Sequence, residues 1–140
     1  MNRSAPARSG SLIGIVIVAH GRLAAEYLAA IEHVVGPQDG IQAITIGAED
    51  DRALKQAEIC KAADRVDQGD GVVVVTDMFG GSPSNLSLLA CSQAKRRIMY
   101  GANLPMLIKL AKCRKKPIDT AVEASIAAAH KYIDVQKIEA

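Results

Sequence analysis

Unbroken apolar runs separated by helix-period segments predict an α/β domain built on a parallel sheet. Leu12 to Ala19 is apolar or glycine throughout, and Val72–Thr76 is strongly β-branched. Such runs read as strands buried on both faces, whereas a half-exposed strand would alternate. Alternating strands and helices in turn imply parallel strands joined by right-handed crossovers.

The elements follow in order. Leu12–Ala19 is the first strand. Leu23 to Val35 is a helix with Leu23, Tyr27, Leu28, Ile31, Val34 and Val35 on one face, stopped by Gly36-Pro37. Ile41–Ile46 is the second strand. Asp50 is placed to cap the next helix, which runs to about Asp67 with Leu54, Ala57, Ala62 and Val66 toward the sheet. Val72–Thr76 is the third strand. Ser82 is a suitable N-cap, and Pro83 then falls at the first helical position, where its missing N–H costs little. That helix is predicted to run to about Lys95. Arg97–Tyr100 is a short fourth strand, GANLPMLIKLAK a loop and helix, and Asp119 to His130 an alanine-rich helix. Tyr132–Ile138 alternates well enough for a last strand. Met1 to Ser11 reads as a polar, flexible tail and residues 12–140 as a single domain. Arg3 and Arg8 ahead of an apolar run imitate a signal peptide. Cleavage after Ala19-His20-Gly21 would remove the first strand, so the tail is the preferred reading.

The chain has 140 residues, 49% of them hydrophobic, enough to bury one sizeable core. A net charge of +2 gives no argument for a nucleic-acid surface, and one Phe, three Tyr and no Trp offer no stacking platform. Lys95-Arg96-Arg97 and Lys112, Arg114, Lys115 and Lys116 read as cations at helix C-termini, with docking of an acidic protein partner as the alternative. Cys60, Cys91 and Cys113 match no metal or redox spacing and suit a reducing compartment. No apolar stretch reaches the ~20 residues needed to span a membrane. No cluster offers three or four metal ligands, GGSPSN lacks the lysine of a P-loop, and no GxSxG elbow is present.

Chemistry is expected beyond the carboxyl ends of the strands. His20 ends the first apolar run, and Asp77 ends the third, just ahead of Gly80-Gly81-Ser82. A neutral imidazole attacks phosphorus well near physiological pH. A carboxylate that accepts its N–H fixes the tautomer and stabilises the cation formed. If the first and third strands are neighbours, their ends lie about 5 Å apart. The glycines let backbone N–H groups approach a ligand, and the following helix N-terminus favours an anion. Each piece alone has an ordinary use: a structural histidine, a turn-capping aspartate, a strand-to-helix connection. Together, at matching strand ends, they favour a phosphoryl site. His33 and His130 sit in helices without clustered partners and read as surface or boundary residues.

These segments resemble the mannose-type enzyme IIA component of the bacterial phosphoenolpyruvate-dependent sugar phosphotransferase system. GIVIVAHGRLA around His20, VVVVTDMFGGSPSN around Asp77 and YGANLPMLIKL carry the likeness, which covers roughly Leu12 to Ile138. The resemblance implies that His20 accepts phosphate from the histidine-containing phosphocarrier protein and passes it to an enzyme IIB partner. It implies that Asp77 supports the imidazole and that Gly80, Gly81 and Ser82 bind the phosphoryl group, with no cofactor and no metal. It further implies an open four-stranded parallel sheet in order 2-1-3-4 within a cytoplasmic homodimer. The family's last strand is exchanged between subunits as an antiparallel edge, and Tyr132–Ile138 is its counterpart. Ser84 departs from the large apolar or aromatic residue usual in the family, a change that bears on partner docking. No IIB segment follows, so phosphate is expected to leave to a separate chain. Gly101 to Met106 reads as a wall of the site or a docking surface, against simple loop-helix structure.

Sugar uptake is the leading role. The alternatives are a regulatory phosphoprotein without a transporter, which the neighbouring genes would separate from it, and the phosphocarrier subunit of a dihydroxyacetone kinase. An anion-binding module that is never phosphorylated is the non-enzymatic alternative.

Overall fold

A computed structural model describes residues 11–78, 82–88, 92 and 95–139. The elements are β1 (Gly14–His20), α1 (Leu23–Val35), β2 (Ile41–Ile46), α2 (Arg52–Val66), β3 (Val72–Thr76), α3 (Ser82–Ser87), β4 (Arg96–Met99), α4 (Leu104–Lys112) and α5 (Ile118–Lys131). The four strands form one parallel sheet in the order β2-β1-β3-β4, as the resemblance implied.

The two-residue period of the strands sorts the core into two layers. Ile13, Ile15, Ile17 and Ala19 join Val73 and Val75 on one face, beneath Ile31 of α1, Leu107 and Leu110 of α4 and Ala121 of α5. Val16, Val18, Val72 and Val74 face the other way, against Ile59, Ala62, Ala63 and Val66 of α2 and Leu86 of α3. Every residue of β3 is buried, as expected for a strand covered on both faces. Gly14 allows a close approach between β1 and the end of α2. A Cβ there would fall 2.4 Å from the Val66 backbone oxygen.

Several local expectations are corrected. Asp51 caps α2, accepting from the Leu54 N–H at 3.0 Å; Asp50 instead accepts from the Gly47 N–H in the preceding turn. The buried face of α2 is Ile59, Ala62, Ala63 and Val66, while Leu54 and Ala57 are exposed. On α1 the buried residues are Ala24 and Ile31, with Tyr27 and Val35 packed beside them; Leu23 and Val34 face solvent. The helix predicted to reach Lys95 ends at Ser87, and Leu88 is in a turn. Ser82 is itself the first residue of α3, with Pro83 second. Cys91 lies outside the described residues.

Of the basic runs, Lys112 does lie in the last turn of α4, but the arginines are placed otherwise. Arg96 and Arg97 belong to β4. Buried Arg96 pairs with Asp64 at 2.9 Å and Asp67 at 3.0 Å, and Arg97 pairs with Asp119. Arg114 is buried and acts as a clamp across the amino ends of β1 and β2. Its Nε donates to the Ile13 carbonyl at 2.8 Å, and its two terminal nitrogens donate to Gln38 Oε1 and the Gly40 carbonyl. Burial lowers its pKa, opposed by the charge of Asp39.

Residues 133–139 are not a strand. They have no regular structure, and Ile133, Val135 and Ile138 are exposed. A strand exists only through a paired neighbour, and among the described residues none pairs with this segment. The predicted tail, 1–11, lies outside the described residues except for Ser11, whose hydroxyl donates to Asp70. Among the described residues no helix is long and apolar enough to cross a membrane.

Candidate phosphoryl-transfer site

Because β1 and β3 are hydrogen-bonded neighbours with Val18 opposite Thr76, their carboxyl ends emerge side by side. β2 and β3 flank β1, so the chain reverses its direction of progress across the sheet at this point. Such a switch point leaves a crevice. His20 is the last residue of β1. Gly21 follows with φ +56°, a conformation suited to glycine, and turns the chain into α1.

His20 and Asp77 meet twice. The His20 backbone N–H donates to Asp77 Oδ2 at 3.0 Å, and His20 Nδ1 lies 2.8 Å from the same oxygen. Since an ionised carboxylate only accepts, this contact requires a proton on Nδ1, which in a neutral ring leaves the lone pair on Nε2. The His20 side chain is half exposed and that of Asp77 is 12% exposed. The imidazole thus faces solvent while the carboxylate beside it is shielded. Burial works to raise the Asp77 pKa, but the His20 backbone N–H, ring and charge outweigh it and hold the carboxyl below its ordinary range. Asp77 Oδ1 and Thr76 Oγ1 are buried without hydrogen-bond partners among the described residues.

Of the predicted phosphate-binding residues, Gly80 and Gly81 lie outside the described residues. Ser82 opens α3, six residues long, immediately beyond them. The Gly101–Met106 segment is in part simple architecture. Asn103 caps α4 through the Met106 N–H and donates to the Ala129 carbonyl, both at 3.0 Å. Its neighbour Ala102 does reach the site: its N–H donates to the Thr76 carbonyl at 3.0 Å, and its own carbonyl accepts from the Tyr27 hydroxyl at 3.1 Å. Tyr27 was legible only as one member of an apolar helix face; nothing in the sequence marks the reach of its hydroxyl. His33 and His130 are exposed and far along α1 and α5. Among the described residues no group of His, Cys, Asp or Glu is arranged to hold a metal ion.

Residues 14–129 match the model of the EIIA-man family, described as the PTS system fructose IIA component. The Escherichia coli (strain K12) protein YadI, named for a phosphotransferase enzyme IIA component, is 28% identical over 105 residues, 74% of this chain and 72% of that protein. The mannose-specific EIIAB component of the same organism is 30% identical over 99 residues, which are 69% of this chain but only 30% of the longer protein. A crystal structure of a phosphotransferase system EIIA component from Streptococcus agalactiae superposes with a TM-score of 0.74 at 27% identity, covering 88% of this chain and 96% of that one. The mannose/sorbose-specific IIA subunit from Enterococcus faecalis shares the fold with a TM-score of 0.80 at 23% identity, covering 91% and 97%. With the family model spanning the whole sheet and all but the end of α5, the chain belongs to the EIIA-man family of phosphotransferase-system IIA components.

Proposed function

We propose that this protein is a phosphocarrier in which His20 takes a phosphoryl group from the histidine-containing phosphocarrier protein and delivers it to an enzyme IIB partner for sugar uptake. The observation that carries the reading is the paired contact between His20 and Asp77 at the switch point of the sheet. The Nε2 lone pair attacks phosphorus and forms the new P–N bond. The P–N bond to the donor's imidazole breaks, and its electron pair stays on the donor nitrogen. The Nδ1 proton remains in place, so the ring carries positive charge, which Asp77 Oδ2 stabilises. Delivery runs the same steps in reverse with the acceptor as nucleophile, and the group needs neither nucleotide nor metal to move.

Backbone N–H groups of Gly80, Gly81 and Ser82 hold the equatorial phosphoryl oxygens in this reading, because donors aimed at developing charge do most of the work in such transfers. Exposed Met78, next to Asp77, and Leu23, three residues past His20, offer apolar contact to a partner while limiting water.

A cytoplasmic homodimer belongs to the same reading, with residues 132–138 of one copy laid antiparallel on β4 of another. β4 is an edge of the sheet. Beside it runs an apolar groove of about 340 Å³ lined by Met99, Tyr100, Met106, Ile126, His130 and Ile133.

The test is intact mass after incubation with phosphoenolpyruvate, enzyme I and the histidine-containing phosphocarrier protein, with His20→Ala alongside. An acid-labile gain of one phosphoryl group on wild type alone is expected. No gain with an active control protein in the same mixture would overturn the reading. Labelling of a folded His20→Ala variant would move the site elsewhere.

A further inference from the structure

Among the described residues, the Asp77 carboxylate takes hydrogen bonds from His20 and from its own backbone N–H, and its Oδ1 has no partner. When the imidazole turns or carries a phosphoryl group, the carboxylate is held by backbone alone, through the His20 N–H on Oδ2. Its position is inherited from the backbone at Thr76 and Asp77. That backbone is tied to the loop between β4 and α4, where the Ala102 N–H donates to the Thr76 carbonyl at 3.0 Å. The other side of the same residue, the Ala102 carbonyl, is held by the Tyr27 hydroxyl at 3.1 Å. Tyr27 stands on α1, the helix that starts three residues after His20. The chain of contacts thus closes a loop: His20, α1, Tyr27, Ala102, Thr76, Asp77 and back to His20.

We propose that Tyr27 is a positioning residue for phosphoryl transfer, bracing the backbone that carries Asp77 against the helix that follows His20. This deepens the phosphocarrier reading and rests on it. The Tyr27 ring packs against the core cluster that includes Ile31 and Leu107, so only its hydroxyl separates the brace from ordinary packing. The phenol pKa is raised, first by burial and then by the negative charge of Asp77, which places the two side chains within electrostatic reach. Asn103 anchors the same loop toward α5 rather than toward α1, so it does not replace the Tyr27 contact. Misplacement of a supporting group by a fraction of an ångström slows a transfer step without changing how the partner docks.

The test compares full-length wild type, Tyr27→Phe, Asp77→Asn and the double variant. Single-turnover transfer from the radiolabelled phosphocarrier protein is measured against donor concentration, and imidazole nitrogen NMR shifts report the His20 tautomer. Tyr27→Phe keeps the ring and its packing. It is expected to lower the maximal transfer rate about tenfold with an unchanged half-saturating donor concentration. The His20 spectrum should move from the Nδ1–H tautomer toward a mixture. In the Asp77→Asn background the same change should cost little more, because its effect passes through Asp77. A rate within about twofold of wild type, or an equal loss in both backgrounds, would overturn the proposal. If wild type accepts no phosphate, the phosphocarrier reading has failed, while the tautomer comparison still decides whether Tyr27 positions the pair.

Discussion

Replacing Asp77 by asparagine preserves shape and removes charge, and the structure indicates how the amide would respond. Asp77 Oδ2 accepts two N–H groups from His20, at 3.0 and 2.8 Å. An asparagine that keeps its oxygen there must put its NH2 at the place of Oδ1, which is buried without a partner. Two unpaired donors would then be buried, costing about 1–3 kcal/mol. The opposite orientation points NH2 at Nδ1. The ring would have to become an acceptor there, which carries the proton to Nε2 and occupies the attacking lone pair. Either orientation also loses the charge-assisted bond that strengthens as the ring becomes cationic. Together these effects amount to roughly 2–4 kcal/mol in the transition state, or about 30- to 10³-fold in rate. Rapid-quench transfer from a saturating radiolabelled donor reads that rate, and calorimetry shows whether the variant is folded. A folded Asp77→Asn protein that transfers within about threefold of wild type would refute the tautomer argument and remove Asp77 from the mechanism.

Two further expectations concern stability. Arg114→Met keeps an apolar stem but strips hydrogen bonds from the Ile13 and Gly40 carbonyls and from Gln38. A loss of about 2–4 kcal/mol, seen as a fall of roughly 10 °C in melting temperature, is expected with His20 phosphorylation intact at low temperature. Unchanged melting would show that the clamp is solvated rather than structural. Asp77 has a folded pKa below its unfolded one. Its contribution is therefore fully present above the unfolded value and is lost as pH falls through the folded value. Between about pH 5 and pH 2 wild type should lose more stability than Asp77→Asn, and parallel denaturation curves would contradict this.

What could be read from the chain, and what could not, divides along physical lines. β1 and β3 were legible because burial on both faces demands unbroken apolar runs, and Leu12–Ala19 and Val72–Thr76 supply them. His20 and Asp77 stood out because a polar residue that ends such a run must emerge at the strand's carboxyl end, where neighbouring ends converge. Helix phase was less legible. Leu54 and Ala57 look as apolar as Ile59 and Ala63, and only the position of the sheet decides which pair is buried. Asp50 and Asp51 are both chemically able to cap, and the turn at Gly47 assigns Asp50 to another N–H. In the sequence Arg114 reads as a cation at a helix C-terminus, because its acceptors are backbone carbonyls of Ile13 and Gly40, 101 and 74 residues away. Tyr27 was hidden for the same reason, since its partner is a backbone carbonyl at Ala102, 75 residues on. Residues 133–139 differ for another reason: alternation alone makes no strand, which needs a paired neighbour, and among the described residues none pairs with this segment. The chemistry of this fold is thus written where strands end. The contacts that brace those ends are made to backbone carbonyls, and backbone carries no signature in the choice of residue.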